Sequence, residues 1–97
     1  MHAQETTIRL SLYGSEGSRT TLRAWTNITQ VLEALGMDAV PVEFVDVLHH
    51  PERTFDDGVL VTPTLIVLSE DKRHVLVGTV EDTSILREIL AVQVMEQ

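Results

Sequence analysis

Thr64-Leu65-Ile66-Val67-Leu68, running on from Val61-Thr62-Pro63, decides how this chain folds. Thr64, Ile66 and Val67 are β-branched. Two heavy atoms on Cβ crowd the preceding turn of a helix but suit a pleated, half-buried surface. The run is short and apolar and gives way to polar Ser69-Glu70-Asp71-Lys72, so it reads as a strand entering a turn. Val75-Leu76-Val77 then returns as the antiparallel partner, and Gly78 ends it.

Upstream, Ile8, Leu10 and Leu12 alternate with Thr7, Arg9 and Ser11, which predicts a first strand with one face buried. Gly14-Ser15-Glu16-Gly17-Ser18 breaks it. A helix follows, capped by Ser18 or Thr20, with Leu22, Trp25, Ile28, Val31, Leu32 and Leu35 as its apolar stripe and Gly36 as its end. Val40 to Leu48 predicts a second strand, with Pro41 confined to its start or an edge. Pro51 suits the first turn of a short helix running to Asp57 and closed by Gly58. Asp82 to Met95 predicts the last helix, capped by Asp82 or Thr83, with Ile85, Leu86, Ile89, Leu90 and Val94 on its apolar face. The order is βαβαββα, an α/β arrangement in which the first βαβ unit makes a right-handed crossover between parallel strands. It is the order of a thioredoxin-like domain, a central sheet with helices on both faces.

Ninety-seven residues allow one domain with one modest core, predicted over 7–97, after a disordered tail at 1–6. The four aromatics, Tyr13, Trp25, Phe44 and Phe55, leave that core mostly aliphatic. No apolar run approaches the ~20 residues of a membrane span, and the polar N-terminus carries no signal-peptide pattern, so a cytoplasmic protein off the membrane is expected. The net charge of −8 from 15 acidic and 7 basic residues, without a basic cluster, argues against nucleic acid and toward basic partner surfaces. The absence of cysteine removes disulfides and thiol chemistry together.

No catalytic constellation emerges. Ser15-Glu16-Gly17-Ser18 sits where a redox relative would carry Cys-x-x-Cys; a serine hydroxyl without a positioned base is a loop or cap residue there. Gly14 and Gly17 are too close together for a phosphate loop, and no Lys follows. His49-His50 are adjacent and diverge, which makes a poor metal pair even if Asp46 and Glu52 join them, and His74 reads as a solvent-facing strand residue. Glu43 and Asp46, three apart on a strand, point to opposite faces. Asp56 and Asp57 read as turn chemistry before Gly58. The expectation is a protein without enzymatic activity, metal or cofactor.

Leu10-Ser11-Leu12-Tyr13, Val45-Asp46-Val47-Leu48 with Pro51 beyond it, Asp57-Gly58-Val59-Leu60-Val61-Thr62-Pro63-Thr64-Leu65 and Val77-Gly78, in that order, resemble the KaiB family of circadian-clock and clock-related proteins. The sensor domain of the SasA kinase is a close relative. The resemblance implies a non-catalytic protein that binds the ring ATPase KaiC. It further implies two folds: a thioredoxin-like, binding-competent form and a ground-state βαββααβ form, usually tetrameric, with the change coupled to proline isomerisation at Thr62-Pro63. It places partner contacts on Pro41, Glu43, Val61, Thr62, Pro63 and Val67, and the fold switch on Tyr13, Pro63, Gly78 and Thr79. Other readings are a SasA-type adaptor that binds the same partner without switching, or a cysteine-free thioredoxin-like domain with another protein partner.

The chain departs from the family pattern. Glu43, Gly58 and Val67 stand where basic residues are usual, Ser69-Glu70-Asp71-Lys72 replaces a proline-rich turn, and Thr79 replaces an aspartate. These point toward a divergent KaiC-like ATPase or a different partner. The β-branched run at 64–68 and the helix-formers from Ser84 to Met95 together favour the thioredoxin-like form by ~1–3 kcal/mol, enough to decide between near-balanced states. The expectation is that form, as a monomer, with a homotetramer belonging to the alternative fold.

Overall fold

The computed structural model describes residues 8–69 and 72–95. The tail expected at 1–6 and the turn residues Glu70 and Asp71 lie outside the described residues. Seven elements follow the expected order: β1 (Ile8–Gly14), α1 (Arg19–Ala34), β2 (Val42–Asp46), α2 (Pro51–Asp56), β3 (Thr64–Ser69), β4 (Lys72–Val77) and α3 (Ser84–Met95). They build one four-stranded sheet in the order β2-β1-β3-β4. β1 and β2 are parallel, while β3 pairs antiparallel with both β1 and β4. The β-branched run at 64–68 is therefore a strand, hydrogen-bonded on both sides.

Register divides the side chains between two faces. Leu10, Leu12, Leu65 and Val67 share one face and pack with Ala24, Ile28, Val31 and Leu32 of α1 and Leu86 and Leu90 of α3. The opposite face carries Tyr13, Val45 and Ile66, joined by Val59 from beyond α2 in a smaller cluster. α2 itself buries no residue.

Local chemistry sets the helix ends. The Ser18 hydroxyl accepts the Thr21 N–H and caps α1. At the other end Gly36 N–H reaches the Glu33 carbonyl and Met37 N–H the Leu32 carbonyl at 2.7 Å, a Schellman closure that needs the left-handed φ of 71° at Gly36. α2 closes the same way: Gly58 takes φ 75°, and Val59 N–H bonds the Thr54 carbonyl, which carries Val59 down onto the sheet. Gly14 has a different task. A Cβ there would lie 2.5 Å from Thr21 Oγ1, so only glycine lets α1 sit this close to the end of β1.

Several expectations need correction. β2 begins at Val42, after Pro41, and stops at Asp46 because the Asp46 carboxylate takes the Leu48 N–H and its carbonyl takes those of His49 and His50. Leu22 is 64% exposed; the buried stripe of α1 runs through Thr21, Ala24, Ile28, Val31 and Leu32 instead. His74 pairs with Val67 and is half-buried on the α1/α3 face. α3 starts at Ser84, whose N–H bonds the Asp82 carboxylate.

Candidate protein-recognition surface

The β1–α1 loop, where a redox relative would hold its thiols, is spent on structure. The Ser18 hydroxyl is committed to the α1 cap, and Ser15 N–H donates to Thr21 Oγ1 at 3.1 Å. Beside it Leu22, Trp25 and Phe44 line a shallow apolar groove of about 420 Å³. Neither serine bonds a side chain that could serve as a base.

The opposite sheet face carries the charged chemistry. Arg53, on α2, reaches back over the sheet and grips Glu43 of β2 through two hydrogen bonds of 2.7 Å, while Ser11 of β1 donates to the same carboxylate. This bidentate guanidinium holds the Glu43 carboxyl at about 2, well below its ordinary range, against the opposing effect of desolvation. The same Arg53 lies 5.9 Å from the centre of the Tyr13 ring. The Tyr13 hydroxyl donates to Asp57. Burial, and then that carboxylate, push the Tyr13 phenol up. Asp57 is therefore more than a turn residue: it ties the end of α2 to β1, one of the two inner strands of the sheet.

On α2 and on the chain just before and after it, large apolar side chains are exposed. Phe55 is 80% exposed and Leu60 90%, with Leu48 and Val61 exposed as well. Large aliphatic and aromatic groups are thus left in water beside a charged network. Pro41, Glu43, Val61 and Thr62 all lie at the surface. Pro63, also expected to face a partner, is a correction: it is buried, after a cis Thr62–Pro63 peptide, and its carbonyl accepts the Gly78 N–H at 2.8 Å. Val67 is a correction. It is 0% exposed beneath α1 and α3 and has no surface to offer a partner in this fold. Its place in the strand alternation, on the face of Leu10 and Leu65, puts it there.

Of the residues expected at a fold switch, Tyr13 is buried in the smaller cluster, and Gly78 adopts φ 102°. Thr79 lends its carbonyl to Asn27 Nδ2 at 2.9 Å and its hydroxyl to Glu81. Next to them the β-branched Val80 sits at φ 60°, a conformation that usually falls to glycine. His49 Nδ1 lies 3.4 Å from Asp46, and among the described residues no group of three metal-ligating side chains gathers.

The model of the KaiB domain family matches residues 11–92, most of the chain. The chain belongs to the KaiB domain family. Its fold is shared more widely. The N-terminal domain of Synechococcus elongatus SasA superposes with a TM-score of 0.77 at 19% identity, over 100% of this chain and 91% of that one. Chloroplastic thioredoxin z gives 0.72 at 19% identity, over 90% of this chain and 78% of its own. Thioredoxin from Trypanosoma brucei brucei gives 0.69 at 15% identity, over 93% and 76%. These likenesses establish the thioredoxin-like fold, and the family match makes this KaiB-domain chain a clock-related protein. No curated protein sequence matches it significantly.

Proposed function

We propose that this KaiB-family chain is a non-catalytic regulatory module of the cytoplasm that docks on a KaiC-like ring ATPase. The family match over residues 11–92 carries the reading. The open apolar side chains around α2, Phe55, Leu60 and Val61, supply a surface suited to it. The charge pattern adds detail. Glu43 stands where family relatives usually carry a basic residue and is already paired with Arg53, so the cognate ring is a divergent one that does not rely on that cation. The loop at Ser15–Ser18 holds no thiol, and neither serine bonds a side chain that could serve as a base, which supports recognition over redox turnover.

The fold is the thioredoxin-like one; in this proposal it is the form that docks, with no prior rearrangement. A homotetrameric ground state remains part of the proposal only as a minor form. The likeness to the SasA N-terminal domain over the whole chain favours a second reading, an adaptor that binds the same partner without switching.

Size-exclusion chromatography with a KaiC-like ATPase and ATP tests the docking. Co-elution is expected, and it should be lost in Phe55→Ser/Leu60→Ser while the thermal midpoint is kept. Failure of several such rings to bind the folded chain, or turnover in an insulin-reduction assay, would overturn the reading.

A further inference from the structure

A pocket of about 240 Å³ opens on the α2 side of the sheet, lined by Arg9, Ser11, Arg53, Asp57, Ile66, Leu68 and Arg73. Three of the seven basic residues of a chain with net charge −8 thus converge on one depression. That concentration is costly in isolation, because like charges held together repel. The register explains how it arises. Arg9 of β1 and Arg73 of β4 both pair with Leu68 of β3, so the two arginines straddle one leucine on the same face. Their Cα atoms are then two strand spacings apart, roughly 10 Å, a span over which two guanidinium groups can close on a single anion.

Among the described residues, the acidic groups nearby are already engaged. Glu43 is held by Arg53 and Ser11, and Asp57 by the Tyr13 hydroxyl, with Arg53 Nε 3.7 Å away. Arg73 gives one N–H to the Asp57 carbonyl, which fixes its fork over the pocket. Arg9 has no ion-pair or hydrogen-bond partner for its side chain among the described residues. Each guanidinium carries five donors, so most remain unspent. The floor, Ile66 and Leu68, is apolar.

We propose that this pocket is a carboxylate-binding site, taking a carboxylate carried on a short aliphatic stem: the head group bridges Arg9 and Arg73, and the stem lies on Ile66 and Leu68. Apolar flooring disfavours a strongly hydrated inorganic anion and rewards an organic one. The assignment is independent of which ATPase, if any, the chain docks on.

Two-dimensional NMR titration of the isotopically labelled full chain tests it, with butyrate, inorganic phosphate and a blocked peptide holding one Glu among Val and Leu. Butyrate is expected to give saturable shifts at residues 9, 11, 66–68 and 73 with Kd of about 1–10 mM, reasonable for so small a ligand. Arg9→Gln/Arg73→Gln should weaken this at least roughly tenfold, the scale of losing charge-assisted bonds. Arg9→Lys/Arg73→Lys, which retains charge and serves if the first variant fails to fold, should weaken it by loss of the fork. Tighter binding of the peptide than of butyrate assigns the carboxylate to a protein segment; weaker binding assigns it to a free acid. The proposal is overturned by absence of saturation with both butyrate and peptide, by shifts unchanged in both variants, or by phosphate binding as tightly as butyrate.

Discussion

The contact between Gly14 and Thr21 gives the sharpest stability test of this fold. Gly14→Ala would place a methyl 2.5 Å from Thr21 Oγ1 and 2.6 Å from its Cγ2, well inside van der Waals distance. Thr21 cannot swing aside freely, because it is buried in the first turn of α1 and its hydroxyl accepts the Ser15 N–H. Overpacking of this kind costs ~1–3 kcal/mol. Thr21→Ala alone loses the hydrogen bond, ~0.5–1.5 kcal/mol. It also removes the two closest atoms and leaves, of the three nearest, Thr21 Cβ at 3.1 Å from the new methyl. The double variant should therefore be less destabilised than the sum of the singles by at least ~1 kcal/mol. Urea unfolding followed by circular dichroism measures all three, and each ~1 kcal/mol corresponds to a thermal midpoint shift of ~4–8 °C for a domain of this size. Strict additivity would refute the reasoning, since the penalty would then not arise from Gly14 meeting Thr21.

Other outcomes follow from the same coordinates. Glu43 should titrate at about 2 by carbon-detected NMR, and Arg53→Met should return it toward ~4.3. Because its carboxyl is depressed in the folded chain, the pair stabilises fully above about pH 5, and that contribution is lost as pH falls toward 2. With side chains 42% and 47% exposed, the amount is below ~1 kcal/mol. Leu86→Ala, which empties a site on α3 with 0% exposure in the main core, should cost ~2–5 kcal/mol in chemical denaturation. Leu60→Ser should change stability by no more than ~0.5 kcal/mol, yet weaken partner binding at least tenfold by calorimetry if this side chain anchors the interface.

The fold was largely legible because its strongest signals are local. Alternation in Ile8–Leu12 and β-branching in Thr64–Val67 each report a buried strand. Ser18, Gly36, Pro51 and Gly58 mark helix ends through backbone chemistry that needs no tertiary context. Leu22 misled because it neighbours the true stripe by one step: Thr21 is buried instead, a polar residue chosen by its contact with Gly14 and its bond to Ser15. The recognition surface was less legible. Pro41, Glu43, Val61 and Thr62 are exposed, whereas strand alternation, which family position does not report, turns Val67 into the core. The Glu43–Arg53 and Tyr13–Asp57 bonds join residues 10 and 44 positions apart, and no spacing rule reports such pairs. Alternation puts Arg9 on a strand but reads the fourth strand only from Val75, short of Arg73; the register of both residues against Leu68 is what sets them on one row.

The claim beneath all of this is that the chain rests as a thioredoxin-like sheet that already presents its binding surface. Backbone NMR of the free protein tests it most directly. The account predicts strand shifts at residues 64–69 with cross-strand contacts from Leu65 to both Leu12 and Leu76, and helical shifts at residues 84–95. Helical shifts at 64–69 with strand shifts in the C-terminal segment would contradict it.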